Sequence, residues 1–423
     1  MADIQTVYGT FTKATGTGNQ SVSTLAFQPK AVFFWWNNHT AQDTFEDAVR
    51  FGCGLYDGTF QVAISAGHAD GGASADTLST FDEAFCMRMM TEAGFNYARA
   101  AGVSLDTNGF TVNWTINNGL AETVHFLAVG GAEVQAKVGV VDSGTAVTTV
   151  AATGVGFQPS CLLLMPVWST ATTATGDCRT PAIGVTDGVN QGCMAAHGED
   201  NVNPSNTTRY QRTDKCVAAL TNTGALLKEA DISSMDADGF TLNWTTNGAP
   251  DGGVYYLAIR MAGASPTVGA FTQKTSSGTK AVSGLAAEPQ TLLFLGVGNT
   301  ASGVVVDGCR ASIGAYQPAS DVNGAAWHGS THGVTPTEVV KYNASAKAVI
   351  HATPNATAAS STIEAEAEVS AIAGDGFTLN WTTADAVARE VLFLSLPLVT
   401  APPEAADLFW SPPVVHVEGG ARG

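Results

Sequence analysis

The sequence predicts an all-β protein: three tandem antiparallel β-sandwich repeats of near-equal length, followed by an extended, proline-rich C-terminal tail. Three observations predict it. The block Gly109-Phe110-Thr111-Val112-Asn113-Trp114-Thr115 returns as Gly239-Phe240-Thr241-Leu242-Asn243-Trp244-Thr245 and again as Gly376-Phe377-Thr378-Leu379-Asn380-Trp381-Thr382. Landmarks ahead of it repeat as well: Gly9, Gly139 and Gly269 stand at one constant interval, and Pro29, Pro159 and Pro289 at the same one. Finally, glycine is 46 of 423 residues and charged residues are 13 %, against ~25 % charged in an average chain. Such a composition suits strands and turns and leaves little material for long charged helices.

Each unit opens on a strand around Gly9-Thr10-Phe11-Thr12, Gly139-Val140-Val141 or Gly269-Ala270-Phe271. A proline then introduces an apolar run, Ala31 to Trp36, Cys161 to Met165 or Leu292 to Leu295; the first position of a strand is where a missing N–H does least harm. The middles are cut by tight-turn pairs such as Asp57-Gly58, Asp187-Gly188 and Asp307-Gly308. A turn of helix is expected around Ala84 to Met87 or Ala225 to Leu227. In the seven-residue block, Phe110, Val112 and Trp114 alternate with Thr111, Asn113 and Thr115, the period-two signature of a half-buried strand. A closing strand follows in each copy, His125 to Val129, Tyr255 to Ile259 and Val391 to Ser395. The third copy carries an insertion between its middle and its tryptophan block. The resulting division is 1–132, 133–263 and 264–398 for the repeats and 399–423 for the C-terminal arm. In that arm Pro402-Pro403 and Pro412-Pro413 favour extended chain, and Phe409-Trp410 beside Pro412 and Pro413 suit an anchor on a neighbouring subunit as well as a loose terminus.

Charge and cysteine usage exclude several classes of function. With 19 Lys and Arg against 37 Asp and Glu, the net charge is −18; without a basic cluster, a phosphate-tracking surface cannot be built and nucleic acid is not an expected partner. No apolar run reaches the ~18 residues of a spanning helix, and the first residues lack the basic segment and apolar core of an export signal. Folding in the cytoplasm where the chain is made, without membrane insertion, is the expectation. Seven scattered cysteines without a paired spacing form neither a disulfide framework nor a zinc ribbon. Aligning the middles on Gly54, Gly184 and Gly314 sets Cys53 beside Ile183 and Ile313, and Cys86 and Cys216 beside Ala348, as core positions rather than nucleophiles. It also brings Arg50, Arg179 and Arg310 to comparable places.

The same alignment carries His68, His197 and His328 to nearby loop positions. One reading is a ligand or partner contact, with Asp70, Asp200 or His332 as a second group. The other, and commoner, is histidine that bonds a loop backbone or packs where units meet. His328 and His332 have the spacing of a helical metal pair, but Gly329 and Gly333 mark that stretch as loop. Glu364, Glu366 and Glu368 alternate along one solvated strand face. Trp114, Trp244 and Trp381 suit core packing better than sugar stacking. No catalytic motif, metal set or cofactor-binding loop is recognisable, so a non-enzyme without cofactor is expected.

The succession of a proline-led strand, a turn-rich middle, the Gly-Phe-Thr-Val/Leu-Asn-Trp-Thr block and a closing apolar strand resembles the H-type lectin sandwich, and it is similar to repeated units of tailed-phage virion proteins. The likeness spans Val7 to Leu398 in three copies. It implies a structural virion component: a head decoration or surface protein whose three units imitate a trimer on a symmetric lattice, docking on other capsid or tail subunits through its arm. The alternative it implies is a tail-associated or secreted carbohydrate-binding adhesin or lectin that meets a host-surface glycan through the repeat loops. The lectin family's sugar-contacting residues have no match in the closing strands.

Overall fold

The structure, a computed structural model, describes residues 3–90, 96–168 and 178–398. Phe409, Trp410, Pro412 and Pro413 of the expected anchor lie outside the described residues. Within them the chain is all-β, with no α-helix and two single turns of 3-10 helix, and no helix is long and apolar enough to cross a membrane.

Six antiparallel sheets form, three large and three of four strands. The first large sheet runs, in spatial order, Gln5–Thr12, Thr123–Gly130, Pro29–Trp36, Val49–Tyr56, Gln61–His68 and Thr77–Asp82. The second runs Val134–Asp142, Gly253–Met261, Cys161–Val167, Cys178–Thr186, Gln191–Gly198 and Thr207–Arg212, and the third Thr267–Thr272, Glu390–Pro397, Pro289–Gly296, Cys309–Gln317, Val322–Ser330 and Val339–Ala344. The order is the same each time: the opening strand, the closing strand, then the proline-led strand and the three that follow it. The small sheets also share one order, with Gly18–Val22, Gly109–Ile116, Asn96–Asp106 and Met87–Met90 matched by Thr149–Thr153, Gly239–Asn247, Leu226–Asp236 and Val217–Leu220, and by Gly278–Ser283, Gly376–Thr383, Thr362–Ala373 and Val349–Thr353.

Each small sheet lies on one face of its large sheet. In the first segment Phe34 and Trp36 of the large sheet share a core with Phe110, Val112 and Trp114 of the small one; the other two segments build the same core around Trp244 and Trp381. Gly54, Gly184 and Gly314 are where the two sheets come closest. A Cβ at any of them would collide with the carbonyl oxygen of Cys86, Cys216 or Ala348. The opposite faces of the three large sheets meet one another: Trp35 and Leu127, Leu163 and Leu257, and Leu293 and Leu394 belong to a single buried cluster.

The segments are joined in a closed cycle. The backbone N–H of Val138 donates to the Asp57 carboxylate, that of Val268 to Asp187, and that of Tyr8 to Gln317 Oε1, each at 2.8 Å. The donors Tyr8, Val138 and Val268 recur at the repeat interval, as do the acceptors Asp57, Asp187 and Gln317, so the first segment binds the second, the second the third, and the third the first. Two short strands cross between segments as well. Phe45–Asp47 adds to the edge of the third large sheet and Val306–Asp307 to the edge of the second.

Two local expectations are corrected. The helical turns fail to form: Met87–Met90 and Leu226–Asp236 are strands, because pairing with the small sheet buries Met87, Met89 and Ala230. The Glu364, Glu366 and Glu368 face is half-buried and paired rather than freely solvated. Arg310 and Arg389 both hold Glu364, at 3.0 and 2.6 Å, and Lys347 holds Glu368 at 2.7 Å.

Candidate functional site

The repeated histidines lie in strands, not loops. His68 ends Gln61–His68, and His197 and His328 lie inside Gln191–Gly198 and Val322–Ser330. Gly329 gave a loop-like signal, but in the structure it lies inside the strand Val322–Ser330. All three histidine side chains are buried. Their positions are staggered. Measured from Ala63, Cys193 and Ala325, which pair with Gly54, Gly184 and Gly314, they come five, four and three residues later. Side chains alternate across a strand, so His68 and His328 point into the junction with Ile64 and Ala326. His197 falls on the other face, that of Cys193 and Ala195.

The stagger has a steric cause. One ladder position, opposite Thr77, Thr207 and Val339, holds His68, Gly198 and Ser330 in the three segments. A Cβ on Gly198 would overlap the His68 ring. One imidazole therefore fills the place where the segments converge, and the equivalent residues must be absent or small. His328 instead packs its ring 4.6 Å, centroid to centroid, from Phe51 of the first segment. The arginines behave differently: a register shift between Thr180 and Ile183 brings Arg179 opposite His197, just as Arg50 lies opposite Gly67 and Arg310 opposite Gly329.

Next to His68 is a cavity of about 10 Å³, room for one water-sized species. Its wall takes Thr77, Ser205 with Thr207, and Ser330 with Thr337 and Glu338 from the three segments in turn. Thr77 Oγ1 donates to the Gly198 carbonyl and Thr337 Oγ1 to that of Ala69. Ser330 Oγ and His68 Nε2 find no hydrogen-bond partner among the described residues. Around the cavity three loops interlace: Ala75 N–H donates to Val202 O, Ser205 N–H to Val334 O, and Gly71 N–H to Thr337 O, at 2.9, 3.0 and 2.8 Å. His332 joins the second and third segments, its Nδ1 accepting from Thr207 N–H at 3.1 Å.

Burial dominates the electrostatics. It holds His68 down to about 3 and pushes His328 well below the ordinary imidazole range, each aided by a neighbouring histidine. His125, between Tyr8 Oη at 3.0 Å and Asn343 Oδ1 at 3.4 Å, is lowered to about 4 by burial. Burial also raises the thiols of Cys53, Cys86, Cys161, Cys193 and Cys216, and a protonated thiol neither attacks nor ligates. Among the described residues no group of three or more His, Cys, Asp or Glu is placed to hold a metal ion.

A second repeated feature was missed in the sequence. Each segment buries a cation at an equivalent place, supplied from a different strand or loop and, in the first two, beside the core tryptophan. Lys13 stands 3.6 Å from Glu122 and 5.4 Å from the Trp114 ring. In the second segment Ser143 takes the place of Lys13, and Lys228 reaches it at 2.8 Å from another strand, over Trp168 and Trp244. In the third, Gln273 occupies that place and Arg389 grips Asp385 with two bonds, 2.6 and 2.8 Å. The repeat interval linking Lys13, Ser143 and Gln273 was the available signal; the side-chain exchange hid it. The same interval joins Asp57, Asp187 and Gln317, where the turn signal concealed a contact between segments.

No protein-family model matches this chain, and neither a curated protein nor a solved structure shows significant similarity to it.

Proposed function

We propose that the chain is a triplicated β-sandwich, closed on itself as a single-chain pseudo-trimer, and that it serves as a non-enzymatic structural component of a phage virion. The place that fits it best is the particle surface, as a head decoration protein docking on neighbouring capsid subunits through residues 399–423. The observation that carries this reading is the cycle of equivalent bonds, Asp57 to Val138, Asp187 to Val268 and Gln317 to Tyr8. A body with three matching sides occupies a three-fold position on a lattice that three separate chains would otherwise share. Buried polar groups that join segments, such as Gln317 accepting from Tyr8 N–H and His125 beside Asn343, support a scaffold too.

The adhesin alternative placed glycan contacts at loops around His68, His197 and His328. With those side chains buried, sugar contacts would have to come from other residues, so the structural reading is preferred. Mass spectrometry of purified particles with a low-resolution image tests it. The chain is expected in fixed ratio to the capsid protein and at three-fold positions; particles that lack it would overturn the reading. Deleting residues 399–423 should abolish incorporation, and unchanged incorporation would remove the anchoring role.

A further inference from the structure

Three imidazoles project into the junction of the large sheets, and each makes a contact between segments. His68 lies over Gly198 of the second segment, and His328 lies against Phe51 of the first. His125 stacks on Trp35 at 5.3 Å and turns Nε2 toward Asn343 of the third. The Nε2 atoms of His68 and His328 have no hydrogen-bond partner among the described residues.

The charged groups around them offer little to a proton. Beside His68 stands His197, on the other face of the neighbouring second-sheet strand, whose charge would still oppose it, while Glu338 of the third segment lines the same cavity. His328 has Ala311 and Lys341 beside it in the ladder and His68 across the junction. The Lys341 ammonium is turned to Glu46 at 3.4 Å. His125 meets only the neutral Tyr8 and Asn343. No carboxylate forms an ion pair with any of the three among the described residues.

We propose that this junction is an acid-sensitive latch, in which protonation of His68 and His328 parts the three segments while the first keeps the core between its own two sheets. A lone charge in a dry interior is costly, and parting the segments hydrates it. Buried histidines also lie inside two segments, His197 on the face of Cys193 and Ala195 and His351 on the third small sheet, where burial lowers it to about 3. The small sheet of the first segment, Gly18–Val22, Met87–Met90, Asn96–Asp106 and Gly109–Ile116, carries none, so the same acid leaves it intact. The sign follows from linkage: the closed-state values lie below the ~6.5 of a solvated imidazole. The closed state therefore has its full advantage above that pH and loses it as pH falls. Between neutrality and pH 5 each imidazole multiplies the opening equilibrium by about 30. Glu122 and Asp70, whose burial raises them, take up protons in the closed state and act in the opposite sense.

Hydrogen exchange of the full chain from pH 7.5 to 4.5, corrected for intrinsic rates, tests the latch. Amides of Gln61–His68, Gln191–Gly198 and Val322–Ser330 should lose protection with uptake of more than one proton per opening. Those of Gly109–Ile116 should stay protected. In a His68→Gln, His328→Gln double variant the increase in opening at pH 5 should shrink by about 10³-fold, the product of the two imidazole factors. Unaltered pH dependence in that variant, or simultaneous loss of protection in Gly109–Ile116, would overturn the proposal. Should the variant fail to fold at pH 7.5, the wild-type proton count decides: uptake below one proton per opening rejects the latch.

Discussion

The strand Pro29–Trp36 belongs to two cores at once. Phe34 and Trp36 face the small sheet of their own segment, and Phe33 and Trp35 face the junction shared by all three. The private cores are near copies: Phe110, Phe240 and Phe377, then Trp114, Trp244 and Trp381, fill the same places. The shared core is built from unlike parts. Its closest ladder position holds His, Gly and Ser, and its linking acceptors are Asp, Asp and Gln. Residues that pack within one segment stay alike, whereas the point where three segments meet admits only one large side chain and the equivalent positions differ.

Substitutions in the two kinds of core should separate them. Trp381→Ala is expected to cost ~3–5 kcal/mol and to raise hydrogen exchange first in the third small sheet. Leu293→Ala, in the shared cluster, should cost ~2–5 kcal/mol and raise exchange in all three large sheets. Equal loss across all six sheets in both variants would dissolve the distinction. Gly184→Ala presses a methyl group on the Cys216 carbonyl. It should destabilise by about 3 kcal/mol, read by chemical denaturation, with the second small sheet moved off its partner.

Removing one link of the cycle sharpens the comparison further. Asp57→Ala and Asp187→Ala each delete a charged acceptor of a backbone N–H and should cost ~1.5–3 kcal/mol. Gln317→Ala deletes a neutral one and should cost ~1 kcal/mol. Similar small losses at all three sites would mean that the links are incidental to closure.

The sequence disclosed the private cores because a strand buried on one face writes its alternation plainly, as Phe110, Val112 and Trp114 do. The glycines Gly54, Gly184 and Gly314 served in the sequence only to align the middles; that they mark the closest approach of the two sheets is visible only in the structure. The junction left fainter marks. Unbroken apolar runs such as Ala31 to Trp36 are what strands covered on both faces require, yet the run does not say what covers the second face. The histidines were found but placed in loops, because Gly329 beside His328 reads as loop, and the exclusion of a second ring at Gly198 staggers them along their strands. The cations Lys13, Lys228 and Arg389 escaped notice because one ammonium or guanidinium can reach the same space from different parts of the chain.

Closure of the cycle is the claim on which the rest depends, and distances between hairpin tips measure it directly. Thr59, Val189 and Ala319 are exposed and stand at the repeat interval. Pairs of spin labels at these positions, introduced two at a time on bio-orthogonal side chains, should give three equal distances in the intact chain at neutral pH. Two short distances and one long one would describe three modules in a row and contradict the account.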